Sequence, residues 1–277
     1  MIDTTICLIV PARNCRNHFD SNLLHIRNVL EKLFKVVKIV VIESDSVDGT
    51  QEVGENAVER KLIDHFFSLG QLSNKYPERT QRIATARNYG LDFVLSRYAP
   101  EFLSFADIDG VNLSLTEEGI ATCFKHQGWS GMVANQIGRY YDIWALRHPV
   151  WCGRDCWEDY RELLPILGHS NATWLAVGAK QIHIPKDTVP IAVDSAFGGF
   201  GIYHTEKCIG ARWNGLSAKG TEVCEWVEFN RAVVGKVFIN PAMVNTGAPE
   251  HYIDLPQPYL LESVMRIADR IDSMEEK

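Results

Sequence analysis

The chain has 277 residues, 46% hydrophobic and 23% charged, with a formal net charge of −7. That is enough apolar material for one large domain or for two halves sharing a sheet, and an acidic balance without any Lys/Arg run excludes sequence-independent binding of nucleic acid. The first apolar segment, residues 6–10, is too short to cross a bilayer and lacks a signal peptide's basic flank and cleavage site, so a cytoplasmic chain with no transmembrane segment is expected, associated at most peripherally with a membrane-bound pathway.

Residues 5–10 form a continuous apolar run ending at Pro11, the pattern of a strand buried on both faces. Leu23, Leu24, Ile26, Val29, Leu30 and Leu33 then recur at helical spacing. Residues 36–42 read as a second strand. After it, Asp48-Gly49-Thr50-Gln51 reads as a turn into a helix, with Asp48 capping free amides and Gln51 reaching back. Residues 63–69 give a third strand, and residues 80–97 the longest helix, with Ile83, Ala86, Gly90 and Val94 facing the sheet. The fourth strand, residues 102–106, delivers Asp107. Strands joined by helical crossovers imply an α/β fold with a doubly wound, mostly parallel sheet flanked by helices, which binds ligands at the carboxyl ends of its strands.

Beyond Asn112 the pattern loosens, with strands expected at residues 131–135, 176–184 and 201–204 and helices at residues 224–234 and from Tyr259 onward. The expectation is a single domain, with a nucleotide-binding half over residues 1–112 and an α+β acceptor half over residues 113–277. The seven cysteines are odd in number and scattered, as reduced, buried thiols are. Cys152 and Cys156 have no matching second pair, which argues against a structural zinc.

Asp107-Ile108-Asp109-Gly110 carries two carboxylates past the fourth strand onto a turn that Gly110 can close, where a divalent cation and a diphosphate can meet them. Capping a strand and solvating a turn is the alternative. The first strand ends in Pro11-Ala12-Arg13-Asn14 and the second in Glu43-Ser44-Asp45-Ser46. Such neighbouring ends can hydrogen-bond a base and a ribose while Arg13 neutralises phosphate, although turn and cap chemistry reads equally well residue by residue. No GxGxxG follows either strand and no GxxxxGK[ST] occurs, which leaves a diphosphate to metal and arginine. Arg82 and Arg87 lie about 140° apart on a regular helix, so one alone reaches a phosphate; Arg87, followed by Asn88, is favoured.

In this order along the chain, Ile42-Glu43-Ser44-Asp45-Ser46-Val47-Asp48-Gly49-Thr50, Arg87-Asn88, Phe105-Ala106-Asp107-Ile108-Asp109, Tyr140-Tyr141-Asp142-Ile143-Trp144-Ala145-Leu146-Arg147 and Glu222-Val223-Cys224-Glu225 carry a family likeness. As ordered short motifs over roughly residues 5 to 250, the chain resembles the fungal capsule-associated (cryptococcal-type) alpha-1,3-mannosyltransferase family. The stretch from Glu43 to Thr50 is also similar to the early acidic motif of glycosyltransferases with the GT-A fold. The resemblance implies a GT-A-type fold and a metal-dependent transferase of polysaccharide biosynthesis. Its donor would be a GDP- or UDP-linked mannose or other hexose, and its acceptor a hydroxyl of a glycan or glycoconjugate.

On that resemblance Pro11, Arg13, Asn14, Glu43, Asp45, Arg87 and Asp107 bind the donor, and Asp107 and Asp109 hold Mn2+ or Mg2+, with His251 as a third ligand. Glu225, between Glu222 and Glu228 at a predicted helix start, is the candidate base of an inverting reaction. Carboxylates supporting a helix N-terminus read equally well there, and a retaining course, which the fungal family suggests, needs no dedicated base. Tyr140, Tyr141 and Trp144 would offer flat faces to a sugar, with Asp142 and Arg147 on its hydroxyls, although without the motif match aromatic clusters are more often core than sugar platform. The Gly-rich residues 196–201 read as a close approach to sugar, a lid or a bulged strand. Members of the fungal family usually carry an N-terminal membrane anchor, and this chain begins at its first strand, which leaves Golgi location and mannose open. The rivals are a sugar nucleotidyltransferase, whose Gly-rich basic loop residues 11–16 lack, and a catalytically inactive, transferase-like carbohydrate-binding protein.

Overall fold

The computed structural model describes residues 1–256, and the helix expected from Tyr259 onward lies outside them. The first half follows the expected order: β1 (Ile2–Ala12), α1 (Arg16–Leu33), β2 (Phe34–Glu43), α2 (Thr50–Glu59), β3 (His65–Ser68), α3 (Arg79–Arg97) and β4 (Phe102–Ala106). β1 is apolar without alternation because both its faces are covered. Ile6, Leu8 and Val10 pack with Phe19, Leu23 and Ile26 of α1, whereas Cys7 and Ile9 pack with Ala84, Leu91 and Val94 of α3. Each such fully buried aliphatic side chain stabilises the fold by about 1.5–3 kcal/mol. Gly90 is needed where α3 meets the sheet, since a Cβ there would lie 2.6 Å from Ile9 Cγ2.

Asp48 accepts from the Thr50 amide at 3.0 Å and the Thr50 hydroxyl at 2.6 Å. Gln51 does not reach back. Gly49 occupies the N-cap position, which makes Gln51 the second helical residue, and its amide bonds Glu55 one turn on.

The second half adds α4 (Glu117–Ala121), β5 (Gly131–Gln136), α5 (Cys156–Ala176), β6 (Ile191–Val193), β7 (Phe200–His204), α6 (Glu225–Ala232) and β8 (Val237–Asn245). All eight strands form one sheet in the order β3-β2-β1-β4-β7-β5-β8-β6. β1 to β4 are parallel, β7 runs antiparallel between β4 and β5, and β8 is parallel to β5. The two halves therefore share a hydrogen-bonded frame. Among the described residues no helix is long and apolar enough to cross a membrane.

One expectation fails in this half, and α5 and β8 were not anticipated. Residues 176–184 are not a strand: α5 runs through Ala176 and a single 3-10 turn, Gly178–Lys180, follows. Ala176, Val177 and Ile184 are buried by close packing instead, with Gly178 against the Ile253 carbonyl, while Ala179 and Ile182 are exposed. α5 was hidden because Pro165 and Gly168, at φ +73°, break its periodicity. β8 was hidden by Pro241. The proline is tolerated at an irregularity, where the β5/β8 register shifts between Ala134 and Asn135 and the Asn135 amide donates to the Pro241 carbonyl at 3.1 Å.

Candidate active site

A cavity of about 860 Å3 opens at the carboxyl ends of β1, β2 and β4. Pro11, Arg13 and Ser44 line it from the first two strand ends, and Arg79 and Arg82 from the first turn of α3. Arg13 and Arg79 make no ion pair among the described residues. Asp107, Asp109, Asp142 and Glu225 line it as well, so arginines and carboxylates converge on one space.

Asn14, Glu43 and Asp45 do not line the cavity; they shape its walls from behind. Glu43 is buried and accepts from the Ser46 amide at 2.9 Å and the Ser68 hydroxyl at 2.6 Å. The Asn14 side chain accepts from the Val47 amide at 2.8 Å. Asp45, at φ +60°, accepts from the Ser73 amide at 2.8 Å and lies 3.7 Å from Arg82. Burial works to raise its carboxyl, but hydrogen bonds from Ser73 and Ser44 and the charge of Arg82 outweigh it, and the net shift is downward. The turns after β1 and β2 leave amides without strand partners, and these side chains satisfy them.

Arg87 is buried at the centre and already engaged, so it does not stand free for a phosphate. One guanidinium nitrogen donates to Glu225 and another to Asp107 at 3.2 Å. Its plane lies 4.6 Å from the Trp226 ring centre and 5.3 Å from that of Phe197. Asp107 keeps part of its carboxylate open to the cavity, yet burial pushes it up to about 7. Arg87 opposes that shift, while the like charges of Asp109, Asp142 and Glu225 reinforce it.

The Gly-rich segment before β7 is a buttress. The Gly199 carbonyl accepts from the Asp107 amide at 2.9 Å, and the Gly198 amide donates to Asp142 at 2.9 Å. Gly198 sits at φ +66°, and a Cβ there would lie 2.6 Å from the Ala134 carbonyl oxygen. Gly198→Ala is expected to destabilise the protein by about 2–5 kcal/mol, combining the left-handed backbone penalty with overpacking. Urea denaturation checks this, and a loss below about 1 kcal/mol would show that the turn yields easily.

On the acceptor side, Tyr141, Asp142 and Trp144 line the cavity. Burial is the main force raising the Asp142 carboxyl, with the Gly198 amide opposing it. Tyr140 is fully buried in the core. Arg147 does not reach the cavity: it donates to Asp155 at 2.9 Å and to the carbonyls of Trp144 and Leu146 at 2.9 and 2.7 Å. A buried guanidinium must direct its donors to buried acceptors, so this residue fixes the turn instead of meeting a ligand.

His251 lines the cavity from the turn Pro249–His251, its ring centre 5.9 Å from that of Tyr141. Among the described residues no three His, Cys, Asp or Glu side chains stand close enough to cage an ion, so Asp107, Asp109 and His251 form no closed metal centre. Two carboxylates beside an open cavity fit a cation whose remaining positions are filled by phosphate oxygens and water.

Gln181 and Trp157 are among the lining residues that escaped the sequence reading. Gln181 is buried, donates to the His251 carbonyl at 2.9 Å and accepts from the Ile253 amide at 2.9 Å, so it ties the His251 segment to the end of α5. No motif marks it. Trp157 stands in the first turn of α5, which Asp155-x-x-Glu158 announces as a capping signature.

No protein-family model and no curated protein matches the chain. Among solved structures it is similar to S. aureus TarS 1-349, with a TM-score of 0.50 and 16% identity over 89% of this chain and 61% of that one. It is also similar to the mannosyltransferase PcManGT from Pyrobaculum calidifontis in complex with GDP-Man and Mn2+, with a TM-score of 0.50 and 13% identity over 93% of this chain and 59% of that one. The chain thus spans about three fifths of the length of those structures. The likeness is one of fold, a GT-A-type α/β body whose mostly parallel sheet is flanked by helices.

Proposed function

We propose that this protein is a divalent-metal-dependent glycosyltransferase. It moves a hexosyl group, with mannose the first candidate, from a GDP- or UDP-linked donor to a hydroxyl of a glycan or glycoconjugate. The observation that carries the reading is a cavity at parallel strand ends lined both by Arg13 and Arg79, which make no ion pair among the described residues, and by a cluster of carboxylates. Its fold likeness to PcManGT, solved with GDP-Man and Mn2+, supports it.

Pro11 and Ser44 would border the nucleoside, with Arg13 and Arg79 on the diphosphate. Asp107 and Asp109 would hold Mn2+ or Mg2+, with phosphate oxygens and water filling its remaining positions. When bound, the cation neutralises charge on the leaving diphosphate as a Lewis acid. Transfer joins the acceptor oxygen to the anomeric carbon as that carbon's bond to the diphosphate oxygen breaks, and the bonding pair departs with the nucleoside diphosphate. In an inverting course the acceptor proton passes to Glu225; in a retaining course it passes to the leaving oxygen, and Glu225 keeps its pairing with Arg87.

A thermal-shift panel of GDP- and UDP-sugars, with and without Mn2+, tests this. A matching donor at a hundred times its Kd should add about 2.7 kcal/mol of stability only when Mn2+ is present. The Mn2+ effect should be larger at pH 8 than at pH 5. The Asp107 carboxyl is raised from 3.8 to about 7, so below that value the folded protein holds a proton that competes with the cation. No Mn2+-dependent stabilisation by any nucleotide would sink the reading. Pyrophosphate release from a nucleoside triphosphate and a sugar phosphate would favour a nucleotidyltransferase, and binding without turnover an inactive carbohydrate-binding protein.

A further inference from the structure

We infer that the arm of the cavity beside α5 is a subsite for a neutral oligosaccharide, one sugar ring lying on Trp144 and Trp157 and the next, further out, on Tyr160. Its role as acceptor subsite rests on the glycosyltransferase reading above. Trp144 and Trp157 come from different segments but are set by one buried carboxylate. Asp155 accepts from the Trp144 indole nitrogen at 3.0 Å and from the Trp157 amide at 2.8 Å, and Arg147 anchors it at 2.9 Å. Both indoles line the cavity, together with Ile143, Val177 and Ile253.

Tyr160 follows three residues beyond Trp157, about 4.5 Å along the axis. The two rings are 5.7 Å apart, and the Tyr160 hydroxyl shares a 2.9 Å hydrogen bond with His169 Nδ1. The two rings stand nearly perpendicular, at 81°, with Trp157 lining the cavity and Tyr160 beyond it, so they offer faces to sugar rings at different angles.

Charge narrows the class. Among the described residues no lysine lines the cavity, and its arginines are Arg13, Arg79 and Arg82, from the end of β1 and the first turn of α3, and Arg87, which is held by two carboxylates. The carboxylates of the lining are Asp107, Asp109, Asp142, Glu225 and Glu250. Arg154, near the start of α5, is paired with Glu158, Asp159 and Glu162. A phosphorylated or carboxylated acceptor would meet like charge there without a cation to compensate, whereas a neutral saccharide would not.

The test uses the full chain with whichever donor the thermal-shift panel yields. Mannobiose, mannotriose and maltotriose are compared as acceptors with glycerol phosphate, and binding is followed in parallel by tryptophan fluorescence. At least one neutral oligosaccharide should raise donor turnover above its hydrolysis rate, and glycerol phosphate should not. Trp157→Ala should raise the oligosaccharide KM about tenfold at unchanged donor KM, the scale of a lost aromatic contact, and Trp157→Phe should restore most of it. Tyr160→Ala, on the outer surface, should raise the trisaccharide KM about threefold and leave the disaccharide KM alone; it carries the test if Trp157→Ala does not fold. Stimulation by glycerol phosphate alone, or an unchanged trisaccharide KM in both alanine variants, would overturn the subsite. If the wild type turns over no donor, the transferase reading falls; Trp157-dependent quenching by the trisaccharide would then uphold the subsite, and its absence would sink that too.

Discussion

Arg87→Ala is expected to cost the folded protein about 3–5 kcal/mol, the largest stability effect of any single substitution at this site. The guanidinium is 3% exposed and pairs with Glu225, itself 8% exposed, and with Asp107. Removing it strands two carboxylates in a space where burial and mutual repulsion already drive Asp107 up to about 7. Breaking a buried pair from one side is costly because the remaining charge keeps its desolvation penalty without its partner. Urea denaturation at pH 8 gives the number. Arg87→Lys should recover little, because an ammonium cannot span two carboxylates as the planar fork does. Arg87→Met combined with Glu225→Gln should recover part of the loss by removing charge on both sides. A loss below about 1 kcal/mol for Arg87→Ala would show that water reaches the pair freely.

Asp109→Ala is expected to have the opposite profile, with a large loss of activity and an intact fold. Asp109 is exposed to the cavity and shares in no ion pair among the described residues. Its removal should therefore change stability by no more than about 0.5 kcal/mol. If it holds the cation against the diphosphate, Mn2+-assisted turnover should fall by about 10²–10³, the range seen when one electrostatic contact to developing charge is lost. The Mn2+-dependent thermal shift should vanish with it. Retained turnover in a folded Asp109→Ala protein would remove the metal role from this residue. Asp107 is the less clean probe, because its side chain also pairs with Arg87 and its amide is bonded to the Gly199 carbonyl.

What was legible in the chain followed from burial on both faces. β1 announces itself as an unbroken apolar run and β2 as one interrupted at Lys38, because α1 covers one side and α3 the other. β4 matches its expected limits, Phe102–Ala106, and delivers Asp107 to the cavity as anticipated. α5 and β8 were hidden by local conflicts, Pro165 and Gly168 in the helix and Pro241 in the strand, which cost little because a kink and a register shift absorb them.

The candidate site divides along the same line. Residue type and position at a strand end sufficed to bring Pro11, Arg13, Asp107 and Asp109 to one cavity. They did not distinguish Asp142 from Arg147, or Arg13 from Asn14, because that depends on which groups have already found partners. Arg147 satisfies its donors on Asp155 and two carbonyls, Asn14 closes a turn, and Arg87 is held between two carboxylates. A linear pattern shows which side chains can bind charge. Whether they remain free to do so depends on neighbours brought in from afar, as Glu225 reaches Arg87 from 138 residues away, since burial compels each polar group to find a partner before any ligand arrives.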